Sequence, residues 1–161
     1  MRSGSPRVQS RPTQGFSYIA MLATVAVLGV GLAAIGQAWS DQQRREREAD
    51  ILRIGSLYAE AIARYHRMAP GSVKTYPATL QDLLHDPRFP GTVRHLRRLY
   101  PDPTNPKRPW LPIPAPEGGV QGVYITSAQA PVRQAPLVLG AVTLPPARHY
   151  HEWRFIPTVT P

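Results

Sequence analysis

Phe16 to Trp39 reads FSYIAMLATVAVLGVGLAAIGQAW, 24 consecutive residues without a charge. At 1.5 Å per residue the run makes about 36 Å of α-helix, against a bilayer hydrocarbon core of about 30 Å. The apolar region of a removable secretory signal is roughly 7–15 residues, so the run predicts a retained membrane anchor. Arg2, Arg7 and Arg11 precede it without an acidic counterweight. Positive flanks stay cytoplasmic, which puts residues 40–161 on the far side of the membrane. Within the run, Gly29 and Ala33 lie four apart on one helical face, and Ala20 and Gly36 add small side chains. Such residues let a second membrane helix approach closely, although Gly and Ala are also common in spans that pack against nothing.

Working outward, the chain turns hydrophilic after Trp39 but has no glycine until Gly55 and no proline until Pro70, so nothing stops the helix at the end of the run. Ile51, Ile54, Tyr58, Ile62, Tyr65 and Met68 recur at helical spacing and predict a stripe covered by a folded head, with the tyrosines as core. Gly55 interrupts that stripe at a cost of about 1 kcal/mol relative to alanine, and close packing of the head against it is the expected compensation. Met68-Ala69-Pro70-Gly71 ends the helix.

The remaining chain, 70–161, holds 17 of the 19 prolines. Thr79 with Asp82 three residues later predicts a capped short helix before Pro87, and 92–99 a second turn or helix. Seven prolines between Pro101 and Pro116 predict an extended connection outside any ladder. Val120–Ser127 and Glu152–Ile156 are expected strands, with a weaker one at Val138–Leu144. The fold class is therefore α+β, one long N-terminal helix, membrane-spanning and then amphipathic, packed on a small antiparallel sheet.

Absence of cysteine excludes a disulfide scaffold, a thiol nucleophile and a thiolate metal site. Positive charge dominates, 19 Lys and Arg against 10 Asp and Glu. Arg94, Arg97 and Arg98, with His95, Lys107 and Arg108, form a basic contact patch, read as a solvated surface meeting an acidic neighbour, with nucleic acid or lipid headgroups as alternatives. His149 and His151 would share one strand face, but with no third ligand nearby they read as polar surface rather than a metal site. No nucleophile triad, carboxylate pair or phosphate loop stands in a convincing context, so neither an enzyme nor a cofactor is expected.

Gln14-Gly15-Phe16-Ser17-Tyr18-Ile19-Ala20-Met21-Leu22, after a short basic leader, resembles the processing site of type IV pilins and of the pseudopilins of type II secretion. Leu99-Tyr100-Pro101-Asp102-Pro103-Thr104-Asn105-Pro106 on to Trp110, Gly118–Ser127 and Tyr150–Phe155 look like the head of proteins related to the major pseudopilin. The resemblance covers roughly residues 14–157. It implies a pilin-like fold, a prepilin peptidase that cuts after Gly15, and methylation of the new Phe16 amine. It also implies residence in a bacterial inner membrane, with the head in the periplasm, and assembly with other pseudopilins and inner-membrane assembly proteins into a periplasmic filament. The implied segments are a leader at 1–15, a span at 16–39, a helical continuation at 40–69 and a head at 70–161.

Two departures qualify the resemblance. The fifth mature residue, usually Glu and thought to pair with a neighbouring subunit's terminal amine, is Ala20. A buried amine needs such a partner, so this chain suits a minor or tip position, or its branch of the family assembles differently. Asp102 and Asn105 stand where relatives hold calcium, but Thr126–Gln134 carries no carboxylate, and no calcium site is expected. The alternatives are a DNA-binding minor pilin of an uptake system and a membrane-tethered periplasmic domain unrelated to filaments.

Overall fold

The computed structural model describes residues 14–158 and, among these, the side-chain surroundings of all but 14–17, 30–36 and 38. The chain divides into two compact units, Met1–Gln42 and Gln43–Pro161. One uninterrupted helix, α1 (Gln14–Arg67, 54 residues), runs through the boundary. The sequence leads to this element because no helix breaker occurs before Pro70, and it ends one residue before the expected Met68.

In the first unit the described apolar side chains are bare: Tyr18 is 65 % exposed and Ile19 66 %, and Met21, Leu22, Val25, Val27 and Leu28 are exposed as well. Thr24 donates its hydroxyl to the Ala20 carbonyl (2.9 Å), which keeps its polar group inside the helix hydrogen-bond system. Among the described residues no helix is long and apolar enough to cross a membrane. The expected span covers 16–39, and the side chains of 16, 17, 30–36 and 38 within it lie outside the described residues. The leader lies outside them up to residue 13.

The second unit is α+β. Ile51, Ile54, Tyr58, Ile62 and Tyr65 of α1 are buried, and around them lie Leu83, Leu96, Trp110, Val123, Ile125, Val142, Leu144, Tyr150, Trp153 and Phe155. Met68, expected as the last member of the stripe, is 46 % exposed, because α1 has already ended. Rings pack in series through the middle of this core, Tyr58 tilted against Trp110 at a centroid distance of 5.6 Å and Trp110 edge to face with Phe155 at 5.5 Å. The Tyr58 hydroxyl is satisfied by one backbone residue, donating to the Tyr100 carbonyl (3.1 Å) and accepting from its N–H (2.8 Å).

Gly55 explains itself here. A Cβ at that position would fall within the ring of Phe155, so α1 and Phe155 approach as closely as they do only because the side chain is a hydrogen.

Three two-stranded antiparallel sheets replace the single small sheet expected: β1 (Pro101–Asp102) with β2 (Asn105–Pro109), β3 (Leu111–Pro114) with β4 (Val120–Tyr124), and β5 (Leu137–Leu139) with β6 (Val142–Leu144). The proline-rich stretch is thus not an extended connection. Pro112 faces Val123, whose N–H and C=O are turned to Phe155 (3.2 and 3.0 Å), so the ladder asks Pro112 for no donor.

Glu152–Ile156 forms no full strand. A 3₁₀ turn occupies Tyr150–Glu152, and Phe155 alone bridges Val123. The weaker 138–144 strand is a hairpin, with Gly140 at φ +57° opening a two-residue loop. Thr79 caps a 3₁₀ turn, Leu80–Leu83, and the Asp82 carboxylate accepts its N–H and hydroxyl (3.1 and 3.0 Å). Residues 92–99 form bends rather than a helix.

Candidate functional site

Two kinds of surface stand out. The first is the bare, largely apolar surface of α1 from Tyr18 to Gly29, exposed on every side. Ala20 and Gly29 are exposed on it, and a Cβ at Gly29 would meet nothing. Small side chains there leave room for a second backbone. Ala33 and Gly36, the other two residues expected to pack, lie outside the residues whose side chains are described, as do Gly15 and Phe16.

The second surface is cationic. Arg94, Arg97, Arg98, Lys107 and Arg108 are all exposed. The β1–β2 pairing brings the strand that carries Lys107 and Arg108 back beside Pro101–Asp102, just after Arg98. The Arg98 guanidinium lies over the Tyr100 ring, 5.1 Å from its centroid, and Arg108 donates to the Thr126 hydroxyl at 3.3 Å. His95 does not belong to this patch. Its ring is fully buried and meets Asp86 at 3.0 Å.

Asp86, Arg88 and His95 make a buried polar cluster that the sequence did not single out. Arg88 forks onto the Asp86 carboxylate (2.9 and 2.7 Å), donates to the Tyr65 carbonyl (2.8 Å) and stacks 3.5 Å from the Tyr65 ring centroid. Burial alone would raise the Asp86 carboxyl, but the hydrogen bonds from Arg88 and His95 prevail and hold it well below the usual carboxylate range. This cluster ties residues 86–95 to α1. It is enclosed, and its contacts are structural rather than poised toward a cleft.

A second clamp was equally silent in the sequence. Glu48 of α1 is buried and accepts the Val132 N–H (2.5 Å), the Arg133 N–H (3.1 Å) and the Tyr150 hydroxyl (3.0 Å). Burial first, and then the bond to Glu48, push the Tyr150 hydroxyl above its ordinary value. Glu48 lies in a run of charges, SDQQRREREAD, where one buried carboxylate looks like any solvated one. Only its helical phase, three residues before Ile51, hinted at its burial.

His149 and His151 do come together, with rings stacked 5.2 Å apart, but on a 3₁₀ turn rather than a strand face. Asp102 is buried, and one of its oxygens accepts the Thr104 N–H and hydroxyl (both 2.7 Å). The Asn105 side-chain oxygen accepts the Lys107 N–H (3.1 Å). Among the described residues no group of three or more His, Asp or Glu gathers as metal ligands do.

No protein-family model, no curated protein and no solved structure matches this chain. The geometry therefore stands alone: a bare apolar stretch of helix, a cationic surface and a head locked to its helix by two carboxylates.

Proposed function

We propose that the chain is a pseudopilin-like structural subunit of a type II secretion or type IV pilus-type machine. In this reading a prepilin peptidase cuts after Gly15, residues 16–39 anchor the subunit in the bacterial inner membrane, and the subunit joins a periplasmic filament with other pseudopilins. The observation that supports it most is α1 itself. Its uncharged first half carries exposed Tyr18, Ile19, Val25 and Val27, and its second half buries the same residue types against a head. An apolar helix surface of that kind is stable in lipid or against other helices, and exchange between the two is the mechanical step of assembly. Ala20 removes the carboxylate usual at that position, so the subunit accepts a partner's Glu at its own Phe16 amine but offers none in return. The ATPase that drives assembly would be a separate protein.

The test is the intact mass and N-terminus of the protein isolated from membranes with and without prepilin peptidase. Loss of residues 1–15 with a methylated Phe16 is expected. An uncut Met1 chain in both samples would sink the proposal and leave a tethered domain. One observation favours a second reading, a DNA-binding minor pilin: the five exposed cations at 94, 97, 98, 107 and 108. Salt-sensitive DNA binding by the full chain in detergent, abolished by neutralising those residues, would support it.

A further inference from the structure

A groove of about 360 Å³ opens beside α1 in the second unit, walled by Arg45, Ala49 and Leu52 of the helix and by Val132 and Arg133 of the loop before β5, with Glu48 at its base. We infer that this groove seats the phosphate headgroup of an anionic phospholipid, held between the Arg45 and Arg133 guanidinium groups.

The clamp described above builds the site. Arg45 and Glu48 are three residues apart and share one helix face. Glu48 captures the N–H groups of Val132 and Arg133, and this places Arg133, remote in sequence, next to Arg45. The Glu48 oxygens are taken by the two N–H groups and the Tyr150 hydroxyl, and its remaining negative charge is outweighed by the two arginines that share the groove lining. Arg45 and Arg133 are exposed, and among the described residues neither guanidinium is held by a carboxylate. Asp50 is engaged with Arg53 at 2.9 Å.

A lining that combines two arginines with Ala49, Leu52 and Val132 suits a ligand with a phosphate at one end and hydrocarbon at the other. The position along the chain points to a lipid rather than a soluble phosphate ester. Arg45 follows the uncharged run by six residues, and that run ends in Trp39, 75 % exposed, a residue type that collects at the headgroup level. The inference rests on the membrane reading of residues 16–39.

The full chain, reconstituted in phosphatidylcholine vesicles, is probed with spin-labelled phosphatidylglycerol and spin-labelled phosphatidylcholine, and the ratio of their protein-associated fractions is measured. A preference for phosphatidylglycerol of roughly fivefold per engaged arginine is expected, weakening with salt. The double variant R45Q/R133Q should bring the ratio close to one, whereas R64Q/R67Q, at two exposed arginines away from the groove, leaves it unchanged. Glu48→Ala frees the loop and should remove the share that Arg133 supplies. All of these cations are exposed, so an unchanged circular dichroism spectrum certifies the variants. A ratio of one in the unaltered chain, or a preference that R45Q/R133Q does not reduce, overturns the inference while the membrane reading survives. Absence of any protein-associated signal with either lipid removes both.

Discussion

The two halves of α1 carry the same kinds of residue and meet opposite fates. Ile19 and Tyr18 are about two-thirds exposed, whereas Ile51 and Tyr58 are within 1 % of full burial, on one unbroken helix. Hydrophobicity alone does not decide burial; spacing does. In the second half apolar residues recur every three or four positions with charges between them, so only one face needs cover and the head supplies it. In the first half the apolar residues go all the way round, and no single face exists for a head to cover. A helix apolar on every side is built for lipid or for a bundle of its own kind.

The largest effect that would break this comparison is expected at Phe155. Phe155→Ala empties the ring position against Gly55, Trp110 and Val123 and should destabilise the head by about 3–5 kcal/mol in denaturant unfolding of the full chain in detergent. A loss below about 1 kcal/mol would mean that the packed half of the helix does not depend on its cover.

Next comes Gly55→Ala. In an ordinary helix interior this exchange stabilises by about 1 kcal/mol. Here the added methyl meets Phe155, so the sign should reverse to a loss of about 1–3 kcal/mol. Combining it with Phe155→Ala should restore the usual sign, a coupling that a double-mutant cycle reads directly.

The two carboxylate clamps give the packed half its own pH limits. The Asp86 carboxyl is held below its ordinary value in the folded head, so the stability it contributes is present above the ordinary carboxylate range and is lost as pH falls below that range. The Tyr150 hydroxyl is raised above its ordinary value of about 10, so its contribution is full below about pH 10 and declines above it. Melting temperatures measured across pH should fall at both ends. Tyr150→Phe should lessen the alkaline fall and leave the acid one unchanged, the buried Tyr58 and Tyr65 supplying the rest.

The smallest effect sharpens the contrast from the other side. Ile19→Ala in the bare half should change head stability by less than about 0.5 kcal/mol, whereas Ile51→Ala in the packed half costs about 2–5 kcal/mol. Equal losses would show that the two halves are not the separate environments described.

Much of the packed half was legible. The stripe from Ile51 to Tyr65, the helix end near Met68 and the reason for Gly55 all follow from local spacing and one glycine out of pattern. The Thr79–Asp82 cap was legible for the same reason, since partner and target lie three residues apart. What failed was long-range or conditional. Proline at 112 argues against a strand only if the ladder needs a donor at that position, and that depends on Phe155, far along the chain, engaging Val123 from the other side. The Glu48 clamp joins residues 84 and 85 positions apart, and nothing near Glu48 announces Val132 or Arg133. Of the candidate surfaces, the cationic residues were visible as composition, but His95 belonged to the interior, where a carboxylate neighbour made it welcome.

Gly55 and Phe155 also set an order of events. The ring that closes over the helix comes from one of the last elements in the described chain, and the Glu48–Tyr150 bond likewise spans 102 residues. Such distant pairings fold slowly, because loop-closure entropy is lost before any contact rewards it. During synthesis the stripe from Ile51 to Tyr65 therefore emerges early and waits uncovered until Phe155 has been made. A nascent chain in that interval exposes apolar surface on both halves of its helix, and it is in this interval that a chaperone has the most to protect.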